Sequence, residues 1–446
     1  MKILPFLTCF ETLAGLTFCR QLAIIAEAML TIPGRITKLS LSRWTRAGGS
    51  YRTLNRFFTT RVGWSELLVK FFETHLFKPT GEYILAGDET VVSKAGHETF
   101  GLDRYFSSIR AQVIKGLSFF VFSLINVEER KAYPLVVKQM VRSEAEKAAL
   151  KQKKAVRAKR SKQQKRRGRP PGSPNKVRTV PEFSGELLRI NSLLKGLLKL
   201  LRLFVKVKYL TLDGYFGHQQ AMLMALENEL HLISKLRSNA ALFEKPAGEY
   251  RGRGRRRKYG AKLDYTKLPL EYLKKRERDA ETLTLYYQGV FRSRSFACEL
   301  NVVIIEKINV KKAKVSQAML FSSDLELGWE KLVAYYGLRF QIEFNFRDAK
   351  QHFGLEDFMT RTEVGVETAA NLSFLMVLLS TKMLREQASE CLSINDLKTH
   401  YRGIKYALET IKIVAPKAEL ILIERVKQAI SRLGSIHQPK IAVSSA

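Results

Sequence analysis

Apolar residues recur at helical spacing over 10–30, broken by Pro33 and Gly34. The same period resumes over 39–44, 51–58 and 64–77, which predicts a helical N-terminal domain over 1–78. From Glu82 the period shortens. The runs 83–88, 113–127 and 132–137 are rich in β-formers and read as the antiparallel opening of a sheet within 79–137. The first of them ends on Asp88. Within 183–239, the stretch 183–204 is predicted as a leucine-faced helix. A strand over 205–213 ends on Asp213 before the turn residue Gly214, a helix covers 216–230, and a short strand covers 231–236. Residues 240–315 form a separate β-rich stretch with strands over 283–291 and 295–305, and a further strand follows over 318–322. The pattern over 328–353 predicts one helix of about 39 Å, with Gly354 as its C-cap. An apolar helix over 364–387 closes the segment 316–390, and an amphipathic helix over 405–433 fills most of the tail, 391–446.

The segment 138–182 departs from this pattern. Beyond Leu150 it has almost no large apolar side chains and is crowded with Lys, Arg, Gln, Pro and Gly, too little to order itself by burial. Arg166-Arg167-Gly168-Arg169-Pro170-Pro171-Gly172 resembles an AT-hook, whose extended arginines, here Arg167 and Arg169, lie in a narrow minor groove. The alternative is a solvated basic linker touching phosphates without sequence preference. A second basic run, 251–258, contains Arg253 and Arg255. Arg43, Arg46, Arg52, Arg56 and Arg61 add cations to the N-terminal helices, which read as a DNA-binding domain or else as a cap on the main core.

Charge makes these local excesses a property of the whole chain. In 446 residues, 76 Lys and Arg face 42 acids, a net charge of +34, while 46% hydrophobic content supplies a core. Such self-repulsion calls for a polyanion, and nucleic acid is the first choice. An anionic membrane is the weaker fit, since no basic amphipathic helix, signal peptide or long uninterrupted apolar span is evident. Cys9, Cys19, Cys298 and Cys391 have neither metal-ligand nor disulfide spacing, which suggests a reducing compartment. A cytoplasmic protein acting on DNA or RNA is expected.

Candidate chemistry lies in three acids. On a helix, Tyr336, Arg339, Glu343 and Lys350 fall within about 60° of arc, beside an apolar stripe of Leu338, Ile342, Phe346, Ala349 and Phe353. On spacing alone, an ordinary surface helix with charge pairs is the favoured reading. The order strand-Asp88, strands, helix, strand-Asp213, helix, strand, insertion, helix-Glu343 is that of an RNase H-like sheet, α/β in class, in which the three carboxylates converge. Three hard oxygen donors without clustered His or Cys favour Mg²⁺ or Mn²⁺ over zinc. Two such ions about 4 Å apart can activate a water or 3′-hydroxyl and stabilise a leaving oxygen.

Those four positions match Y-x-x-R-x-x-x-E-x-x-x-x-x-x-K. With Phe340-Gln341-Ile342-Glu343-Phe344, Asp213-Gly214-Tyr215-Phe216 and Gly87-Asp88-Glu89-Thr90, the chain resembles the bacterial insertion-sequence DDE transposases that carry the YREK signature. The resemblance covers about residues 80 to 390. It implies a retroviral-integrase-like core with a β-rich insertion and helical flanks. It implies that Asp88, Asp213 and Glu343 hold two Mg²⁺ or Mn²⁺ ions, and that Tyr336, Arg339 and Lys350 grip DNA phosphates. Lys235 and Arg237 are further candidate contacts. The implied partners are double-stranded DNA, as terminal inverted repeats and target, and a second copy of the chain. The implied reaction is cleavage followed by strand transfer. The basic insertion at 138–178 is a departure from that family's pattern. Rival expectations are a nuclease or domesticated descendant that cuts without joining, and a DNA-binding protein without catalysis. Trp329, Tyr286 and Tyr287 are candidates for an aromatic that holds a flipped base, with core packing as the alternative.

Overall fold

The computed structural model describes residues 3–45, 48–107, 110–162, 182–246, 257–311, 314–386, 393–415 and 419–431. The N-terminal helices are α1 Leu4–Leu7, α2 Glu11–Thr31, α3 Lys38–Trp44, α4 Tyr51–Thr59 and α5 Trp64–His75. Thr37 and Ser50 cap α3 and α4 with side-chain oxygens. Then come β1 Tyr83–Ser93, β2 Asp103–Ser107, β3 Gln112–Asn126 and β4 Lys131–Gln139, followed by α6 Glu144–Lys162 and α7 Gly185–Leu201. Next are β5 Tyr209–Leu212, α8 Gln219–Glu227, β6 His231–Lys235, β7 Leu242–Phe243, β8 Leu273–Arg278, β9 Thr282–Ser293, β10 Glu299–Asn309 and β11 Lys314–Ser322. Helices α9 Trp329–Leu338, α10 Gln341–His352, α11 Glu363–Glu386, α12 Ile394–Val414 and α13 Leu420–Ser431 close the described chain.

The protein is mixed α/β with a large mixed sheet. Eleven strands among the described residues join one sheet in the order β2-β3-β1-β5-β6-β11-β10-β9-β7, with β4 also on β3 and β8 on β9. β1 runs antiparallel to β3, β3 antiparallel to β4, and β1, β5 and β6 are mutually parallel. β3 is buried at every position from Gly116 to Asn126, as a strand covered on both faces must be. Its run Leu117 to Ile125 is almost wholly apolar for that reason. The β-rich stretch expected as separate instead prolongs this sheet, because β11 pairs antiparallel with β6 and carries β10 and β9 outward.

The helical layers share one buried cluster with the sheet. α5, α10 and α11 pack on β4, α10 also on β1, α4 and α5 on α11, and α2 on α12. The N-terminal helices are therefore a layer of the main core. Among the described residues two helical stretches, Leu4–Thr31 and Glu363–Glu386, are long and apolar enough to cross a membrane, which amends the sequence expectation. In the second, 83% of the apolar window is buried inside the fold, so core packing accounts for it.

Three expected elements differ. The 328–353 helix is two helices. Between α9 and α10 the backbone tightens to i→i−3 bonds, from Phe340 N to Gly337 O at 3.2 Å and from Glu343 N to Phe340 O at 3.0 Å. This turn lets α9 pack on β5, β6, β10 and β11 while α10 packs on β1, β4 and α11. The 405–433 helix is also two, α12 and α13, with Pro416 in the sequence between them, where a continuous helix would lose a bond. The basic insertion expected to be irregular opens with α6, whose Ala, Lys and Arg are strong helix formers. The AT-hook-like stretch with Arg167 and Arg169, and the run with Arg253 and Arg255, lie outside the described residues.

Candidate active site

Register brings the two aspartates together. Gly87 on β1 is opposite Leu212 on β5, and β5 ends there. The next residues are Asp88 and Asp213, on strands that lie about 4.8 Å apart. Asp88 is thus not at the end of its strand, as the sequence suggested. It is the sixth residue of β1, at the point where the parallel neighbour stops and β1 continues against β3 alone. Gly87 allows this approach: a Cβ there would lie 2.9 Å from Leu212 Cδ2 and from Phe120 Cζ. Asp213 begins a short 3₁₀ turn over Gly214–Phe216 and accepts from Tyr215 N at 3.1 Å. Ser234 Oγ donates to the Asp213 carbonyl at 2.7 Å, tying the turn to β6.

The third acid comes from the break between α9 and α10. Glu343 lies in the first turn of α10, its side chain 45% exposed. Arg339, in the connecting turn, is 15% exposed and donates to Asp88 Oδ2. Its Nη2 is 3.9 Å from Glu343 Oε1. Asp88, Asp213, Glu343, Arg339 and Lys350 line one open cleft of about 1290 Å³, above the roughly 300–1,000 Å³ of small-molecule sites and better suited to a polymer.

Burial pushes the Asp88 carboxyl up to about 6. The Arg339 guanidinium and the Glu89 N–H oppose that rise, and the charges of Asp213 and Glu343 add to it. Asp213 is also raised, chiefly by burial, with Arg339 drawing it back. Arg339 is thus a counter-charge to the carboxylate group. Among the described residues no three His, Cys, Asp or Glu side chains close into a metal-ligand group. The side-chain placement therefore does not present the preassembled triad that the resemblance implied. In kind the donors do fit a divalent cation: hard carboxylates in a partly buried cleft, mutually repelling, with a guanidinium standing where positive charge is needed.

Tyr336 and Lys350 are engaged within the protein. Tyr336 is half-buried, with the Arg339 guanidinium 5.8 Å from its ring centre, and burial raises its hydroxyl pKa. Lys350 Nζ donates to Val91 O at 2.9 Å, on the part of β1 that has outrun β5. Burial lowers its pKa. Arg339 Nε is buried and makes no hydrogen bond among the described residues. Lys235 and Arg237 are exposed at the end of β6, beside the Asp213 turn. The aromatics considered for base holding are elsewhere: Tyr287 is buried, and Trp329 packs on Tyr286 at 4.9 Å between ring centres.

The cleft also holds residues that sequence reasoning passed over. Arg142 reaches Asp103 Oδ2 at 3.0 Å and lies 4.4 Å from the Tyr105 ring centre. Arg189 of α7 pairs with Glu146 of α6. Tyr215 and Phe106, 65% and 61% exposed, are open aromatic faces in the cleft lining. Of these only Tyr215 had a sequence signal, an aromatic just beyond the Asp-Gly turn.

β5 stops just before Asp213 while β1 runs on past Asp88, so the two aspartates lie side by side, and Glu343 and Arg339 line the same large cleft of this α/β protein. The DDE superfamily endonuclease family matches residues 6–290 of this chain. The chain belongs to that family. The matched span contains Asp88 and Asp213 and stops before Glu343. No curated protein matches. Among solved structures, the chain is similar to the cryo-EM structure of piggyBac transposase in a synaptic complex with hairpin DNA. The identity is 10% and the TM-score 0.38, over 93% of this chain and 75% of the other. So distant a likeness decides nothing about this chain.

Proposed function

We propose that the protein is a metal-dependent DNA transposase of the YREK insertion-sequence group, with an RNase H-like core. The observation that carries this reading is the convergence of Asp88, Asp213 and Glu343 on one cleft around Arg339. The β4-β3-β1-β5-β6 order and strand directions support the core assignment.

On this reading Asp88, Asp213 and Glu343 hold two Mg²⁺ or Mn²⁺ ions. When bound, these supply an activated water or 3′-hydroxyl and neutralise the leaving oxygen. The chain's own work is positioning. Arg339 carries an orphaned, buried Nε suited to a phosphate oxygen. Lys350 holds β1 through Val91 O, three residues past Asp88, and adds positive charge to the cleft. Tyr336 supports the Arg339 guanidinium, and Lys235 and Arg237 extend the cationic rim past Asp213. The aspartates are partly shielded from water, where electrostatic stabilisation is strongest. Terminal inverted repeats and target DNA as substrates, a homodimer on DNA, N-terminal helices that contact DNA, and a cytoplasmic, nucleoid-associated location belong to the same proposal.

The test is cleavage and joining of duplex carrying the element's ends. Asp88→Asn, Asp213→Asn and Glu343→Gln should each abolish cleavage while DNA binding persists. A pre-cut end with a free 3′-hydroxyl should be joined to target by the parent protein. Cleavage that survives all three substitutions would sink the reading; cleavage without joining would reduce it to a nuclease.

A further inference from the structure

The insertion between β4 and α7 brings a basic helix to the rim of the cleft. α6 has eight Lys and Arg in nineteen residues, and its two acids, Glu144 and Glu146, both lie in the first turn. It has no apolar stripe: Leu150 and Val156 are 39% and 50% exposed. A helix polar all round has no core to hold it along its length.

One end is held firmly. Ser143 N donates to Glu146 Oε2 at 2.7 Å and Glu146 N to Ser143 Oγ at 3.2 Å, a reciprocal cap. Arg189 of α7 donates twice to the Glu146 carboxylate, at 3.1 and 3.0 Å. Glu146, Ala149 and Leu150 line the same cleft as Asp88 and Asp213. The acidic turn therefore anchors α6 at the cleft, and its cations follow that turn along the helix sequence.

Two acids cannot balance eight cations, and Lys147 already pairs with Glu144 at 2.7 Å. In the sequence, Lys147 with Lys151, and Lys153 with Arg157, stand four apart, where like charges destabilise a helix. A polyanion alongside would relieve that repulsion. A membrane surface fits poorly, because no apolar face lies opposite the charges.

We propose that α6 is a rail for the DNA backbone. It takes phosphates of the duplex that enters the carboxylate cleft, without reading sequence. Nineteen residues span about 28 Å, which matches about eight base pairs at 3.4 Å each. The proposal rests on the reading of the cleft as a DNA-cleaving site.

The experiment uses the full chain with Asp88→Asn to silence cleavage. Binding of a fluorescent duplex is followed by anisotropy across a salt series, with and without Lys151→Glu, Lys153→Glu and Lys154→Glu together. The plot of log affinity against log salt should become shallower by about 0.9 for each phosphate no longer neutralised. Leu150→Cys carrying a photo-crosslinker should label the duplex near the cut position. An unchanged slope, or no cross-link, overturns the rail. Neither measurement requires cleavage, so a parent protein that binds along α6 but never cuts DNA would refute the cleft reading and leave the helix's hold on DNA standing.

Discussion

Replacing Asp88 by Asn should stabilise the metal-free protein at neutral pH. A carboxyl that ionises at about 6 instead of the ordinary 3.8 has its charged form disfavoured in the fold by about 3 kcal/mol. Asp88 is only 18% exposed, so solvent screening takes away little of that. Because the folded state holds the proton more tightly than the unfolded state, stability falls as pH rises between the two values. The cost is absent below about pH 4 and complete above about pH 6. Asn keeps the shape, keeps an acceptor for Arg339 and carries no charge to desolvate. Urea unfolding of parent and Asp88→Asn in chelator, over a pH series, reads the difference. The gap should be near zero at the acid end and approach 3 kcal/mol, as an upper value, at pH 7.5. A variant no more stable than the parent at pH 7.5, or a gap that does not change with pH, refutes the claim that burial disfavours the charged Asp88 carboxylate in the fold.

Other substitutions probe the supports of the site. Gly87→Ala would push a Cβ to 2.9 Å from Leu212 and Phe120 and to 3.0 Å from Phe122. It should cost about 1–3 kcal/mol by overpacking and should lower cleavage while DNA affinity holds. Lys350→Met removes the donor to Val91 O, 2.9 Å away. It should cost about 1–3 kcal/mol by denaturation and slow cleavage more than it weakens binding. Gly354 has φ +72, and a Cβ there would lie 2.6 Å from Ile36 Cβ. Gly354→Ala should therefore destabilise by about 1–3 kcal/mol and raise hydrogen exchange in α3, whose lead-in Ile36 N donates to Asp357 at 3.0 Å.

How far the sequence spoke for itself follows from what each signal depends on. β1, β3 and β4 were legible as runs of β-formers, α7 as a leucine-faced helix and α11 as an apolar run, because their apolar side chains are buried in the core. The carboxylates were legible as two strand-borne aspartates and a helix-borne glutamate. The position of Asp88 within β1 was not, because its strand ends on one side and continues on the other, a matter of which neighbour stops. The turn at Arg339 was hidden because the helical period runs through Gly337 unbroken, and only packing on different strands divides it. α6 escaped a reading that derives order from burial, because its order comes from intrinsic propensity and the anchor at Ser143, Glu146 and Arg189. Arg142 and Arg189 had no signal, since an arginine's partner across the fold leaves no mark in its own surroundings. The metal expectation rested on residue types, and the interposed Arg339 guanidinium could be seen only in three dimensions.

The central claim is that Asp88, Asp213 and Glu343 act together on divalent cations. Mn²⁺ binding by the parent and by Asp88→Asn, Asp213→Asn and Glu343→Gln, followed by electron paramagnetic resonance, tests it directly. Saturable binding in the parent, weakened at least about tenfold in each single variant as expected when a direct ligand is removed, is the predicted result. Binding that is unchanged in any one of the three, or absent from the parent, contradicts it.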